Sequence, residues 1–470
     1  MTAEEIYAGE SDNVEFKEGI PAKSEKYMKT VVAFANGKGG KIIFGVENNT
    51  WKITGFAKDE VFQKMDAITN AIFDSCEPKI TPSIGLHEVE GKIIIEVEIL
   101  SGMSRPYYIK SQGILDGTYI RVSGTTRHAE RYQVQELILE GQNRYYDCEP
   151  AEGLTATEEE IIKLCADMKA AAIQNTVTNA EKAKVRDVTK NVLLSWGVLA
   201  EKDGVIVPTN AYALLTGMAP MQPVVQCGVF KGTDRAYFVD RREFEGSIQD
   251  QMEAAFQFVL EKINRGMKIQ GMYRQDVYEL PLDSVRELIA NSIAHRSYLE
   301  PGNIQIALFD DRLEVTSPGM LLNGVSIAKM KEGYSKIRNR AIANAFSYMK
   351  IIEKWGSGIP RIIRECKEYE LPEPEFLDFD GDFRVNMFRR TAIGTNGISE
   401  TKNETNDTKE TIALSLIREN PAITQKEIKE KMGISLVTVK RLMANLQKSG
   451  RIQRKGSSRS GTWQVEEPKD

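Results

Sequence analysis

The spacing of apolar residues changes along the chain, and each change predicts an element. Residues 24–36 are amphipathic with a helical period and lead through Gly39-Gly40 into an apolar strand at 41–46. Further strands are predicted at 92–100, after a turn at Glu90-Gly91, and at 117–122, with a helix at 132–143. Residues 1–135 therefore read as an α/β domain. Helical periods at 157–180 and 186–196 and a short strand at 204–208 make 136–223 a helical or winged-helix connecting region. In 224–390, a strand at 224–230 precedes helices at 248–265 and 283–294. Strands at 303–309 and 312–316 follow, turning at Asp310-Asp311.

Residues 391–410 are almost wholly polar, too poor in apolar surface to order themselves, and read as a linker. Periodicity returns in 411–470. A helix at 411–419 stops before Pro421, Thr424 caps a helix at 425–432, and Glu427 completes a capping box. Gly433 supplies the turn, Ser435 caps the next helix, and the alternation after Gly450 reads as a β-hairpin with a Gly/Ser tip. This order is that of a winged helix-turn-helix. Between Thr424 and Arg459 lie ten Lys or Arg and two acids, in a chain of net charge −5. Such a local excess is the electrostatic footprint of phosphate contact, so DNA is the expected partner. Ser435, Thr438, Lys440 and Arg441 fall near the start of the recognition helix, and Lys455 and Arg459 on the wing.

Composition narrows the classes. A chain of 470 residues exceeds one core. No apolar run approaches the ~20 residues of a membrane span, and the first residues lack a secretory pattern. Five cysteines without a CxxC pair read as reduced thiols, so a cytoplasmic protein is expected. Three scattered histidines exclude finger or metalloprotease zinc sites. The absence of a GxxxxGK[ST] loop removes support for a helicase motor.

Glu10-Ser-Asp-Asn-Val-Glu15-Phe-Lys17 places two carboxylates and a lysine ahead of Ala33-Phe-Ala-Asn36, the Gly39-Gly40 turn and Gly45-Val46. With Arg105-Pro106-Tyr107-Tyr108 and Tyr119-Ile-Arg121-Val122, this ordered set resembles the Schlafen AlbA-like domain. The resemblance implies nucleic-acid binding, RNA included, and in some members RNA cleavage with a metal held by three carboxylates. Glu10 and Glu15 match the first two. The third position falls on Asn48, and an amide is a poor substitute for a carboxylate on a hard cation. Nuclease activity is therefore not expected, and Glu10, Glu15 and Lys17 read as a structural ion-pair cluster.

A second constellation lies in the other half. Glu287, Asn291 and His295 are spaced i, i+4, i+8 and share one face of an otherwise apolar helix. That stripe is either a solvent face or a site, with Glu287 as general base and Asn291 as an oxygen ligand of Mg²⁺. Ser317-Pro318-Gly319 and Gly356-Ser357-Gly358 then supply two glycine turns. The phrases ELIANSIAHRSY, DRLEVTSPG, SKIRNRAIA and IEKWGSGIPRI, with Pro208-Thr209-Asn210-Ala211 upstream, resemble the GHKL ATPase superfamily, in the branch found after AlbA-like domains. The resemblance implies a Bergerat fold with ATP and Mg²⁺ as cofactors. It implies Glu287 as catalytic base, Asn291 at the metal, Ser317 and Gly319 beside adenine, and Gly356 and Gly358 beside the phosphates. Residues 320–334 would be a mobile lid, with Arg338 and Arg340 available to phosphate. Ser317 stands where the superfamily carries Asp, leaving an uncharged acceptor for the adenine amine.

The expected fold is α+β and multidomain: an AlbA-like α/β domain (1–135), a connecting region (136–223), a Bergerat-type α/β sandwich (224–390), a linker (391–410) and a winged helix (411–470). The expected function is a DNA-binding transcriptional regulator gated by ATP, with at most weak ATPase activity. Its rivals are a Schlafen-like metal-dependent ribonuclease of the defence kind and a scaffold with a degenerate nucleotide site. Partners expected are DNA, RNA and ATP; self-association stays open, and no membrane partner is expected.

Overall fold

Strand β1 (Val14–Lys17) lies parallel to β2 (Gly40–Phe44), because helix α1 (Glu25–Asn36) between them carries the chain back to the same end of the sheet. The structure, a computed structural model, describes residues 2–390 except 49, 123, 220–222, 271–272, 354 and 380. Beyond 390 it describes 413–414, 416–418, 420–421, 423–424, 427–429, 439, 443, 446–447, 452–455 and 462–465. The chain divides into two compact units, Met1–Thr391 and Ala392–Asp470.

In the first unit, helix α2 (Val61–Ser75) precedes a hairpin of β3 (Ser83–Val89) and β4 (Lys92–Ile99), which completes a sheet of order β1-β2-β4-β3. The Gly39-Gly40 pair is sterically required. A Cβ at Gly39, whose φ is +82°, would lie 2.8 Å from the Ile99 carbonyl, and one at Gly40 2.5 Å from the Phe34 ring. Asn36, buried at the end of α1, accepts the Tyr107 amide at 2.7 Å and donates to the carbonyls of Tyr107 (2.8 Å) and Tyr119 (3.0 Å). It thereby fastens the strand pair β5 (Tyr119–Val122) and β6 (Thr125–His128) to α1. Helix α3 (Arg131–Gly141) follows, starting from a capping box at Glu130. It runs unbroken through residue 135, so the expected division there falls inside a helix.

In the connecting region, α4 (Glu158–Gln174), set by a Thr157–Glu160 capping box, ends well short of residue 180. Helix α5 (Lys190–Trp196) starts only after its cap Thr189, rather than at 186. The antiparallel pair β7 (Leu199–Lys202) and β8 (Val205–Pro208) then leads into α6 (Asn210–Thr216).

From β9 (Val225–Phe230) the chain builds a six-stranded sheet. Edge strand β10 (Phe238–Phe244) and helix α7 (Ile248–Lys262) come next, followed by the hairpin β11 (Arg265–Gln270) and β12 (Tyr273–Tyr278). Helix α8 (Leu282–His295) follows, then β13 (Ile304–Leu308) and β14 (Arg312–Pro318). Short α9 (Ile327–Lys331), α10 (Arg340–Tyr348) and α11 (Gly358–Glu368) lead to β15 (Glu375–Phe379) and β16 (Asp382–Phe388). The sheet order is β10-β9-β13-β14-β16-β15, with β9 and β13 parallel and every other pair antiparallel. Helices α7 and α8 bury Phe258, Val285, Leu288, Ile289 and Ile293 in the core shared with Ile306, Leu313, Val315 and Val385. The polar stripe of α8 is left to a cleft whose walls include residues of β14 and β16.

In the second unit the described residues include a core of Ile417, Ile428, Val439, Leu446, Ile452 and Trp463 among others. Thr424 and Glu427 form the expected reciprocal cap, at 2.7 and 3.3 Å. Strands β17 (Ile452–Lys455) and β18 (Thr462–Val465) pair antiparallel as the wing. No helix among the described residues is long and apolar enough to cross a membrane.

Candidate nucleotide cleft

Because α8 buries its apolar side, the stripe Glu287, Asn291 and His295 lines an open cleft of about 1050 Å³. Val315, Val325, Met330 and Val385 give it apolar walls, while Tyr334, Lys336 and Arg338 also line it. Apolar walls with a few convergent polar groups are the usual make-up of a small-molecule site.

Glu287 is buried at 4% exposure. Its Oε1 accepts from Asn291 Nδ2 at 3.1 Å, and its Oε2 from Arg361 at 2.7 Å. Burial raises its carboxyl above the ordinary value, against the pull of the Arg361 charge and the Asn291 hydrogen bond. Arg361 also donates to Glu353 at 2.9 Å, and Ser357 Oγ donates to Glu353 as well. With the Asn291 nitrogen committed to Glu287, the amide oxygen is the arm left to hold a cation. His295 is pushed down to about 4 by burial and stays neutral at pH 7.

The glycines are set by close approach. A Cβ at Gly358, the first residue of α11, would lie 2.2 Å from Glu287 Oε1. Only glycine lets this helix start close on the carboxylate, and a helix N-terminus presents free N–H groups suited to phosphate. Gly356, with φ +70°, abuts the 320–334 segment, where a Cβ would lie 1.9 Å from the Gly333 carbonyl. Gly319, with φ +105°, leaves room for the Arg338 guanidinium, 3.1 Å from an ideal Cβ. Ser317 is buried beneath and donates Oγ to the Ser292 carbonyl at 2.8 Å, so toward a ligand its oxygen can only accept. Arg338 faces the cleft but is bound to Glu136 at 2.5 Å. Arg340 differs from expectation: it opens α10, is exposed, and does not line the cleft, because Asp147 draws the start of that helix toward the connecting region through the Ile342 amide at 2.9 Å. Sequence reasoning passed over Arg361, although it stands one helical turn after Gly358 on α11.

The N-terminal carboxylates have other work. Glu10 Oε1 accepts the Phe16 amide at 2.9 Å. Glu15 meets Lys17 and Arg121, both at 2.7 Å, and the Thr30 hydroxyl at 3.0 Å. Arg121 reaches on to the carbonyls of Asp12 and Ser11, so the two sequence motifs are stitched together. Among the described residues no three His, Cys, Asp or Glu are grouped to hold a metal. Of the DNA-contact candidates, Ser435, Thr438, Lys440, Arg441 and Arg459 lie outside the described residues; Lys455 lies on β17.

A six-stranded sheet whose α8 turns Glu and Asn into a cleft flanked by two glycine turns fits an ATPase-like domain. Residues 302–387 match the family model described as "Putative ATP-dependent DNA helicase recG C-terminal", residues 10–130 that of "Schlafen, AlbA_2", and residues 412–453 that of "Winged helix-turn-helix DNA-binding". The chain thus combines a Schlafen AlbA-like domain, an ATPase-like domain and a winged helix-turn-helix, and this set supports a nucleic-acid-binding protein. No curated protein matches it. Among solved structures, a Corynebacterium diphtheriae protein is similar at 16% identity and TM-score 0.42, over 97% of this chain and 91% of that one. The N-terminal domain of a RecG-related protein from Nitrosomonas europaea is similar at 25% identity and TM-score 0.21, over 27% of this chain and 94% of that one.

Proposed function

We propose that the chain is a DNA-binding regulator whose grip on nucleic acid is gated by ATP and Mg²⁺. The observation that carries this reading is the facing of Glu287 and Asn291 on α8 toward the start of α11 at Gly358, on one cleft. The residues present suit a nucleoside triphosphate. Ser317 and Gly319 lie on the side assigned to the base, and Ser317 offers an acceptor to an exocyclic amine. Asn291 Oδ1 would hold Mg²⁺, whose chemistry is to neutralise phosphate charge. Gly356, Gly358 and Arg338 line the same cleft and would face the phosphates.

Both oxygens of Glu287 already accept hydrogen bonds, which favours binding with slow turnover over rapid hydrolysis. The winged helix, through Ser435, Thr438, Lys440, Arg441, Lys455 and Arg459, would supply the DNA contact, and nucleotide would shift the population of lid states. Titration of MgATP into the full chain tests the site. Asn291→Ala should weaken binding at least tenfold, about 1.4 kcal/mol. Glu287→Gln should retain binding and lower phosphate release by roughly 10²-fold. Unaltered affinity in Asn291→Ala would remove that residue from the site.

A further inference from the structure

The wall of the nucleotide cleft has a second side. Residues 319–322, Ser335, Lys336 and Arg338 line both that cleft and a larger one, about 1680 Å³, that also includes α3 of the N-terminal domain. On α3, Glu136 and Glu140 are one turn apart and share a face. Glu136 accepts from Arg338 at 2.5 Å. Glu140 accepts from Lys336 at 3.1 Å and from Asn323 at 3.3 Å, and is itself steadied by Arg105 at 3.0 Å. Asn323 reaches further, to the Asn36 carbonyl at the end of α1, at 3.0 Å. Within the wall, Arg338 donates to the Met320 carbonyl and Lys336 to that of Asn323, so the same two cations also brace the lid.

We infer that α3 latches the lid of the nucleotide cleft through Glu136 and Glu140, and that nucleotide phosphates compete with these carboxylates for Arg338 and Lys336. The inference rests on the nucleotide reading of the cleft and adds what regulates it. A polyphosphate carries more charge than one carboxylate and accepts the two-pronged guanidinium grip that Glu136 now holds singly. Arg338 and Lys336 cannot serve both partners in full, so each step toward the phosphates loosens α3. Linkage makes the effect reciprocal: a chain whose latch is weakened binds nucleotide more tightly. The gain falls on the domain that carries the AlbA-like motifs, which makes the latch a physical route from nucleotide to nucleic-acid grip.

The test uses the full chain, with MgATP as probe. Glu136→Gln keeps the shape and the hydrogen-bond acceptor but removes the charge opposite Arg338. Asn323→Ala cuts the contacts to Glu140 and Asn36 without touching either cation. Titration calorimetry should show MgATP affinity rising roughly fivefold or more in Glu136→Gln, and rising in Asn323→Ala. Hydrogen exchange at residues 131–141 of the parent should quicken when MgATP is added. If the parent binds MgATP while both variants, melting like the parent, bind it equally or more weakly, the latch is wrong and the cleft assignment stands. If parent and variants all fail to bind at millimolar MgATP, the nucleotide reading falls and the latch with it.

Discussion

Arg361→Met isolates the electrostatics of the cleft. Arg361 is the cation that faces Glu287, at 2.7 Å, and Glu287 is buried while Arg361 is 26% exposed. Removing one member of a fully buried ion pair costs ~3–5 kcal/mol. Solvent reaches the arginine, so a loss of about 2 kcal/mol is the scaled expectation. The pH dependence is the sharper signature. Burial already raises the Glu287 carboxyl above its ordinary value, and the Arg361 charge is the largest influence opposing that rise. Without it the folded-state value climbs further above the unfolded one. A raised carboxyl stabilises the fold fully below its unfolded value, and that contribution disappears as pH rises through its folded value. The variant should therefore be near parental stability around pH 4.5 and show its full deficit by pH 8. Glu287→Gln in the same chain removes the stranded charge and should restore most of the loss. Urea unfolding of parent, single and double variants at several pH values measures this. A deficit that is flat with pH, or that Glu287→Gln leaves unrelieved, would refute the reasoning.

Deleting residues 391–470 should abolish high-affinity duplex DNA binding while the first unit stays folded, since the chain divides at that point; equal mobility shifts at equal salt would contradict it. Glu15→Ala leaves Arg121, Lys17 and Thr30 without their shared acceptor and should destabilise the first domain by about 1–3 kcal/mol. Glu10→Ala/Glu15→Ala should leave any RNA cleavage unchanged; a Mg²⁺- or Mn²⁺-dependent cleavage by the parent that this pair abolishes would restore the ribonuclease reading.

Legibility in the sequence followed the source of each signal. The i, i+4, i+8 stripe of α8 announced the cleft because apolar neighbours left its polar side only a site or solvent to face. Thr424 and Glu427 announced their helix start because capping is local chemistry. Edge strand β10 went unread because Asp240, Arg241, Arg242 and Glu243 interrupt its apolar alternation, and pairing with β9 rather than local pattern holds it. Helix α2 was hidden by Phe62 and Phe73, apolar yet exposed, which blur its buried stripe of Val61, Ile68 and Ile72. The partners of Arg338 could not be read at all, since Glu136 lies 202 residues away and only the packed fold joins them. Nothing in the local sequence marks Glu353, yet it shares Arg361 with Glu287 and belongs to the same network.

The central claim, that nucleotide gates the grip on nucleic acid, is tested most directly by duplex DNA affinity of the full chain with and without MgATP at one fixed salt concentration. Fluorescence anisotropy reads it, with Asn291→Ala in parallel. The account predicts a change of roughly fivefold or more on adding MgATP, about 1 kcal/mol of coupling, and little change in Asn291→Ala at the same MgATP. Identical affinities with and without MgATP, under conditions where calorimetry shows the cleft filled, would contradict it.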